Sequence, residues 1–221
     1  MKDHYSIIIP IFNEISSIKN LINALNVYDH DGHEIIIVDD GSTDGSFSIL
    51  KKCDFINLIR FDENKGKGIA LRKGISKAKK EKIVLFDGDL ELHPDEIKKI
   101  MILDEKNNIN CVFGSRLNLY PPFNIWDIGN LFLNTLFNLV NKSNVTDSLC
   151  CAKSFFKSDL DLKLLKSTKF DIDVEISSFL VDKFKKITNV SLNYKRRNNN
   201  QGKKLKMKDS LLILKRILII L

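Results

Sequence analysis

The sequence of 221 residues has no apolar run near its start that is long enough for a secretory leader or a membrane span. Its first apolar run, from Ile7 to Ile9, ends at Pro10, whereas a membrane-spanning helix needs about 20 apolar residues. Cysteine is scarce too, because only positions 53, 111, 150 and 151 carry it and they form no Cys-x-x-Cys pair. These absences argue against a disulfide framework or a cysteine metal site, and we expect reduced thiols in a cytosolic protein.

What is present is an ordinary globular composition with an excess of positive charge. The sequence is 43% hydrophobic and 29% charged, which predicts one folded domain over 1–221 rather than a disordered chain. The formal net charge is +7, and much of the excess lies in a basic, amphipathic C-terminal region, 195–221. Such a patch suits phosphates, anionic lipids or nucleic acid, and a solvated tail is the simpler alternative. Its clustered basic residues are Lys195, Arg196, Arg197, Lys203, Lys204, Lys206 and Lys208.

Short apolar runs alternate with helical patterns through the first half of the chain. Runs rich in Ile, Val and Phe predict buried strands, and apolar residues at helical spacing predict the helices between them. This alternation indicates an α/β fold with a mostly parallel sheet and helices on both faces. Ligand sites in such folds lie beyond the carboxyl ends of the strands. The predicted strands are 5–10, 34–39, 56–61, 82–87 and 111–115, and the predicted helices are 18–27, 46–52, 70–79 and 96–105.

The second half has a different pattern. Residues 124–140 are strongly apolar, and the pattern predicts a helix over 173–184, a strand over 187–195 and a basic amphipathic helix over 207–221. The last helix is shorter than a membrane span requires. It suits the interface of a membrane as well as it suits docking on its own domain or on a second subunit.

Acidic and small residues follow the first two predicted strands. Pro-Ile-Phe-Asn-Glu at 10–14 comes after the first strand, and Asp-Asp-Gly-Ser-Thr-Asp-Gly at 39–45 comes after the second. Carboxylates at strand ends can accept hydrogen bonds from ribose hydroxyls or from a base edge. The alternative is a turn with a helix N-cap, a role for which Ser42, Thr43 and Asp44 are all suited.

A glycine-rich segment, Asn-Lys-Gly-Lys-Gly at 64–68, opens the third helix. Glycines and lysines at a helix N-terminus suit an anionic ligand. The segment lacks the spacing and the Ser or Thr of a Walker A loop.

Three carboxylates at alternate positions follow the fourth strand, at Asp87, Asp89 and Glu91. Mg²⁺ and Mn²⁺ prefer carboxylate oxygen and often share substrate phosphates, and carboxylates this close repel one another unless a cation or donors neutralise them. Asp-Gly is also a favoured hairpin turn. Because Pro94 and the acidic residues after it predict a helix start rather than a returning strand, the pattern favours a metal site.

These motifs occur in the order and spacing of family 2 glycosyltransferases, which the chain resembles over nearly its whole length. The second half is similar to one branch, the polyprenyl-phosphate sugar synthases such as dolichol-phosphate mannose synthase, through looser matches at 114–116, 146–153, 170–175, 194–197 and 202–204. The resemblance implies the GT-A fold of nucleotide-diphospho-sugar transferases. Two departures are Gly88, where the family often has alanine, and 148–152, an unusual version of its segment.

The resemblance also implies a role for each matching position. Asp87 would face the nucleotide and the sugar, and Asp89 would ligate Mg²⁺ or Mn²⁺ with help from Glu91. Asp147 would lie near the sugar or the acceptor and is the third implied catalytic residue beside Asp87 and Asp89. The implied nucleotide-binding residues are Pro10, Phe12, Glu14, Asp39, Asp40 and Lys67, and the implied phosphate- or acceptor-binding residues are Arg116, Arg196, Arg197, Lys203 and Lys204.

The resulting hypothesis is an inverting, metal-dependent transfer of a sugar from a UDP- or GDP-linked donor to a dolichyl or undecaprenyl phosphate. A phosphate acceptor is already ionised near neutral pH, so Asp147 is expected to position it and would act as a base only toward a sugar hydroxyl. We expect a cytoplasmic protein in peripheral contact with the cytoplasmic face of an anionic membrane, and no nucleic-acid partner. The alternatives are a soluble family 2 transferase that extends a cell-surface polysaccharide or glycolipid, and a non-catalytic protein that binds anionic membranes or nucleic acid.

Overall fold

The computed structural model describes residues 3–116, 125–197 and 207–219, and its centre is a seven-stranded sheet. The strands follow the order β3-β2-β1-β4-β6-β5-β7 across the sheet. Four neighbouring pairs are parallel, and β6 runs antiparallel to both β4 and β5. The strands are β1 (Tyr5–Ile11), β2 (Glu34–Asp39), β3 (Ile56–Arg60), β4 (Lys82–Leu85), β5 (Cys111–Ser115), β6 (Lys153–Phe156) and β7 (Thr188–Ser191).

Helices cover both faces of this sheet, so the predicted α/β architecture is confirmed. One core lies under α1, α2 and α4, and the other lies under α3, α5, α6 and α7. Neighbouring residues of β1 alternate between them, with Ile7 and Ile9 in the first and Ile8 in the second. The helices are α1 (Ile18–His30), α2 (Ser46–Leu50), α3 (Lys67–Lys77), α4 (Ile97–Ile100), α5 (Ile125–Asn141), α6 (Ile172–Lys183) and α7 (Met207–Ile219).

The strand β6 was not predicted from the sequence. It is only four residues long, and its first two residues are the buried polar pair Lys153 and Ser154. Neither an apolar run nor an alternation of apolar and polar residues marks it, and those are the patterns from which strands are recognised.

The predicted helix over 96–105 was too long. A short 3-10 turn, Pro94–Glu96, leads into α4, which ends at Ile100. Beyond it the backbone bonds to the sheet instead of to itself: Ser154 Oγ donates to the Ile100 carbonyl at 2.5 Å, and the Leu103 amide donates to Tyr5 Oη at 3.0 Å. These tertiary hydrogen bonds replace the helical ones that the apolar spacing suggested.

The helix α7 is docked on the domain through its inner face. Ile213 and Ile217 are buried in the second core. Arg216 forms ion pairs with Asp171 at 3.1 Å and with Glu175 at 3.3 Å. Of the three placements that the sequence left open for this helix, docking on its own domain therefore accounts for one face.

Within the described residues, no helix combines the length and the apolar character needed to cross a membrane.

Candidate active site

A cleft of about 660 Å³ opens beyond the carboxyl ends of β1, β2 and β4. The strand order reverses beside β1, which is where α/β sheets bind their ligands. The cleft brings together most of the predicted site residues. Those lining it are Pro10, Phe12, Glu14, Asp40, Lys67, Asp87, Asp89, Glu91, Arg116, Arg196 and Arg197.

Four predicted site residues are not part of this lining. Asp39 and Asp147 are fully buried behind it. Lys203 and Lys204 lie outside the described residues.

The loop after β1 is held in place by the loop after β2. The amide of Asn13 donates to Ser42 Oγ at 2.9 Å, the amide of Glu14 donates to Ser46 Oγ at 3.0 Å, and the amide of Ile15 donates to Asp44 Oδ2 at 2.8 Å. The Asp-Asp-Gly-Ser-Thr-Asp-Gly motif therefore has a structural part, because its later polar residues support the neighbouring loop.

The two aspartates of that motif differ in their partners. Asp40 accepts hydrogen bonds from the amides of Lys65 at 2.7 Å and Gly66 at 2.9 Å, and from Asn64 Nδ2 at 3.0 Å. Asp39 accepts from the Ser42 amide through Oδ1, while its buried Oδ2 has no hydrogen-bond donor among the described residues and lies 4.0 Å from Arg60 Nε. A buried oxygen without a hydrogen bond costs free energy, so Asp39 Oδ2 is available to accept a hydrogen bond from an N–H or O–H group of a ligand.

The start of α3 is not the open anion site that its glycines and lysines suggested. Asp40 already takes the amides of Lys65 and Gly66, and the Gly68 amide donates to the Thr168 carbonyl at 2.9 Å. At Gly66, φ is +100° and an added Cβ would lie 2.2 Å from the same carbonyl oxygen. The glycine is thus explained by close packing of two backbone segments.

Lys67 faces the cleft with its ammonium group between two carboxylates. Its Nζ lies 2.9 Å from Asp87 Oδ1 and 2.8 Å from Asp173 Oδ2. Burial is the largest influence and would raise the pKa of Asp87, but the charge and hydrogen bond of Lys67, a hydrogen bond from Cys151 and the charge of Arg116 together hold that pKa below its ordinary value. Asp173 belongs to α6 and lies in the matching segment 170–175, but the sequence gave it no role, because it becomes a neighbour of Lys67 only through the fold.

Asp89 is a partly buried carboxylate whose pKa is raised. Burial, together with the negative charges of Asp87 and Glu91, raises the pKa of Asp89 to about 7. Its Oδ1 accepts the Glu91 amide at 3.0 Å, across Leu90, which adopts a left-handed φ of +60°. Non-glycine residues in this region cost roughly 1–3 kcal/mol and cluster at functional sites.

Gly88 is also set by packing. A Cβ at this position would lie 2.6 Å from Ile11 Cγ2 and 3.1 Å from Ile9 Cγ2. The side chains of β1 thus fill the space that an alanine methyl group would need. This packing explains why a glycine separates Asp87 and Asp89.

The donor set fits a divalent cation that shares its coordination with a substrate. Among the described residues, no group of three or more His, Cys, Asp or Glu side chains is arranged to hold a metal alone. Mg²⁺ usually takes one or two protein carboxylates and completes its shell with water and substrate phosphates. Asp89 suits that role, whereas both oxygens of Glu91 are engaged, by the Tyr194 hydroxyl at 2.8 Å and the Arg197 amide at 2.9 Å.

The raised pKa of Asp89 predicts a pH effect on the stability of the metal-free protein. Because the folded-state pKa is about 7 against an ordinary 3.8, the native state keeps a proton that the unfolded state loses between these two values. Stability therefore falls as pH rises from about 4 to about 7 and levels off above 7. Asp89→Asn should remove this loss and stabilise the metal-free protein at pH 8 by on the order of 2 kcal/mol, with half the shift discounted for partial exposure.

Urea denaturation of metal-stripped protein between pH 5 and pH 8 measures this effect. Asp95→Asn, at an exposed carboxylate six residues on, is the matched control and should follow the wild type. Identical pH profiles for wild type and Asp89→Asn would contradict the assigned pKa.

Arg116 reaches the cleft from the end of β5 and is held there by Asp147. The guanidinium donates through Nε to Asp147 Oδ2 at 2.9 Å and through Nη2 to Oδ1 at 3.1 Å, and the Arg116 amide donates to Oδ2 at 3.1 Å. Burial is the largest influence and would lower the pKa of Arg116, but the charge and hydrogen bonds of Asp147, with the charges of Cys150 and Tyr194, together raise that pKa above its ordinary value. Asp147 thus lies behind the arginine, and its contacts orient that side chain.

The segment 194–197 forms one wall of the cleft. Glu91 accepts hydrogen bonds from the Tyr194 hydroxyl and the Arg197 amide of this segment. The Arg197 guanidinium donates to Glu14 Oε2 at 2.8 Å. Arg196 pairs with Asp127 of α5. The predicted phosphate-binding arginines therefore line the cleft, but each is held by an acidic residue from another element.

Comparison with known proteins gives these motifs a family context. The family model described as Glycosyl transferase family 2 matches residues 6–162. A UDP-N-acetylglucosamine–dolichyl-phosphate N-acetylglucosaminyltransferase from Methanococcus voltae is 32% identical over 177 residues, covering 70% of each chain. The dodecaprenyl-phosphate galacturonate synthase of Rhizobium johnstonii is 28% identical over 159 residues, which cover 68% of this chain and 47% of that protein.

A solved structure extends the likeness to the fold. Glucosyl-3-phosphoglycerate synthase from Mycobacterium tuberculosis, in complex with Mn²⁺, UDP-glucose and glycerol 3-phosphate, matches with a TM-score of 0.71 and 16% identity. The match covers 99% of this chain and 80% of the other. The fold is that of GT-A glycosyltransferases, as the sequence motifs predicted.

Proposed function

The chain belongs to glycosyl transferase family 2, and from this membership we propose that it transfers one sugar from a nucleotide diphosphate donor to a polyprenyl phosphate. The observation that carries the proposal is one cleft lined by both the Asp89 carboxylate and the Arg116 guanidinium. It offers a cation-binding group for a diphosphate and an anion-binding group for a second phosphate. The names of the Methanococcus and Rhizobium relatives, which specify dolichyl and dodecaprenyl phosphate, support this choice of acceptor.

The donor would lie across the ends of β1 and β2. We assign Pro10, Phe12 and Glu14 to the nucleoside, with Asp40 fixing the loop at 64–66 beside it. Asp39 would accept a hydrogen bond through the oxygen that lacks a donor among the described residues. A UDP- or a GDP-linked sugar satisfies these contacts.

The diphosphate would lie beside Asp89, which would hold Mg²⁺ or Mn²⁺. The Mn²⁺ in the mycobacterial structure supports a divalent ion of this kind. When bound, such an ion neutralises the charge that grows on the departing diphosphate. In this assignment Asp87 faces the sugar and the nucleotide, with Lys67 keeping it ionised.

The acceptor phosphate would be held by arginine on the opposite wall. One of its oxygens forms a bond to the anomeric carbon while the bond to the nucleotide diphosphate breaks on the opposite face, which inverts the centre. Because the acceptor is already an anion near neutral pH, no residue has to remove a proton. Asp147 then acts by keeping Arg116 in place, and Arg196, Arg197, Lys203 and Lys204 add positive charge for the lipid phosphate.

The acceptor assignment predicts where a labelled sugar ends up. Wild-type protein given a panel of labelled UDP- and GDP-sugars, Mn²⁺ and polyprenyl phosphate should yield a labelled product that extracts into organic solvent. The same label found only on added polysaccharide or glycolipid would favour the alternative of glycan extension. Omission of the lipid phosphate is the control, and it should leave the organic phase unlabelled.

A further inference from the structure

The outward surfaces of α5 and α7 are apolar. On α5 the exposed side chains include Ile128, Leu131, Phe132 and Leu139, of which Phe132 is 61% and Leu139 is 76% exposed. On α7 they include Leu211, Leu218 and Ile219. These seven residues, which we name the α5–α7 apolar face, are the majority of the eleven large exposed hydrophobic side chains among the described residues.

This face is not needed to hold the two helices on the domain. α5 packs inward through Leu133 and Phe137, and α7 packs inward through Ile213 and Ile217, all of which are buried. Surface helices of soluble domains normally carry polar residues on the side opposite the core. Seven large apolar side chains gathered on two helices that contact each other instead indicate a surface that meets an apolar environment.

The charges around the face indicate which environment that is. Of the acidic residues on the described parts of the two helices, Asp127 is paired with Arg196 and Asp209 is buried. Among the residues whose side chains are described, the exposed charged residues on α7 and directly after α5 are Lys215 and Lys142. Apolar helix faces whose own exposed charges are basic match the headgroup boundary of an anionic bilayer.

The same helices also form part of the cleft. Asn130 of α5 and Asp209 and Ile213 of α7 line it. A lipid phosphate whose chain stays in the bilayer can enter the cleft only if the rim lies at the membrane surface. The apolar face is on the two helices that make that rim.

We propose that the α5–α7 apolar face inserts into the headgroup boundary of an anionic bilayer and brings the cleft to a lipid-borne acceptor; the role of this contact in acceptor delivery rests on the proposed function. This insertion of apolar side chains is distinct from the electrostatic attraction expected of the clustered basic residues at 195–208. A second copy of the chain is the competing occupant, but it would place the Lys215 side chains of two subunits in one apolar interface.

Co-sedimentation with phosphatidylcholine vesicles, with and without phosphatidylglycerol, tests the proposal. The double variant Phe132→Glu/Leu139→Glu should lose at least roughly tenfold in partitioning, because two large apolar side chains no longer leave water. Leu164→Glu is the matched control, since Leu164 is 52% exposed but lies on neither helix. It should bind vesicles as the wild type does, and thermal unfolding of both variants should match the wild type.

Two further readouts separate this proposal from the proposed function. The double variant should keep wild-type transfer to a water-soluble, short-chain isoprenyl phosphate and lose transfer to polyprenyl phosphate embedded in vesicles. Unchanged vesicle partitioning of the double variant would overturn the apolar face as the contact. Light scattering that shows a dimer abolished by the double variant, without vesicle binding by the wild type, would overturn it in favour of a second copy. Loss of vesicle binding without transfer to any lipid phosphate would support the face and refute the acceptor.

Discussion

Asp89→Ala should reduce sugar transfer by about a thousandfold, the size of effect seen when a group that stabilises transition-state charge is removed. Asp89 is the carboxylate at the centre of the proposed metal–diphosphate site, and its neighbours Asp87 and Glu91 are held by Lys67 and by Tyr194 and Arg197. No other carboxylate of the triplet is placed to take over its role. The measurement is the initial rate of transfer from a labelled sugar nucleotide at saturating Mn²⁺.

Two other variants serve as comparisons for Asp89→Ala. Asp95→Ala removes a carboxylate that is 73% exposed and should leave the rate unchanged. Glu91→Gln should have an intermediate effect, because Glu91 holds the 194–197 wall through the Tyr194 hydroxyl and the Arg197 amide. Wild-type transfer by Asp89→Ala in the presence of Mn²⁺ would refute the metal-site assignment.

Asp147→Ala should destabilise the protein by about 3 kcal/mol, because it leaves the Arg116 guanidinium without its buried counter-ion. Asp147 is fully buried, and the Arg116 side chain is 22% exposed, so the lower end of the range for broken buried pairs applies. The variant should also lose at least roughly tenfold in transfer, since misplacing a substrate-binding group by about 1 Å can cost that much or more. Urea denaturation and the transfer assay measure the two effects.

The matched control is an ion pair nearer the surface. Asp159 pairs with Lys183, whose side chain is 45% exposed, so Asp159→Ala should cost less than about 1 kcal/mol. The double variant Asp147→Ala/Arg116→Met should recover part of the stability lost by Asp147→Ala, because no unpaired charge remains, but none of the activity. Equal destabilisation by Asp147→Ala and Asp159→Ala would contradict the account of the buried pair.

The sequence predicted the catalytic end of the sheet well because its signals are local. β1, β2 and β4 are continuous apolar runs, and each leads directly into an acidic or turn-forming motif. Parallel strands bring their carboxyl ends to the same edge of a sheet, so the sequence alone indicates that Glu14, Asp40 and Asp89 share one cleft. That reasoning needs no contact between distant parts of the chain.

What the sequence did not predict depends on such distant contacts. Asp173 joins Lys67 across 106 residues, and Asp147 is drawn behind Arg116 by a bidentate ion pair that no local pattern marks. Asp40 accepts the hydrogen bonds of the backbone amides just before α3, which the composition of that segment had suggested were available to an anionic ligand. β6 carries the buried Lys153, so its pattern gave no strand signal. Each of these outcomes was decided by which groups the fold brings into contact.

The measurement that tests the central claim most directly is the rate of labelled-sugar transfer to polyprenyl phosphate as Mn²⁺ is titrated into EDTA-stripped wild-type protein. The cleft geometry predicts no organic-extractable product without the ion, and a saturable rise in rate as the ion is restored. The product should carry the anomeric configuration opposite to that of the donor. Full transfer in EDTA, or a product with retained configuration, would contradict a metal–diphosphate site at Asp89 that works by direct displacement.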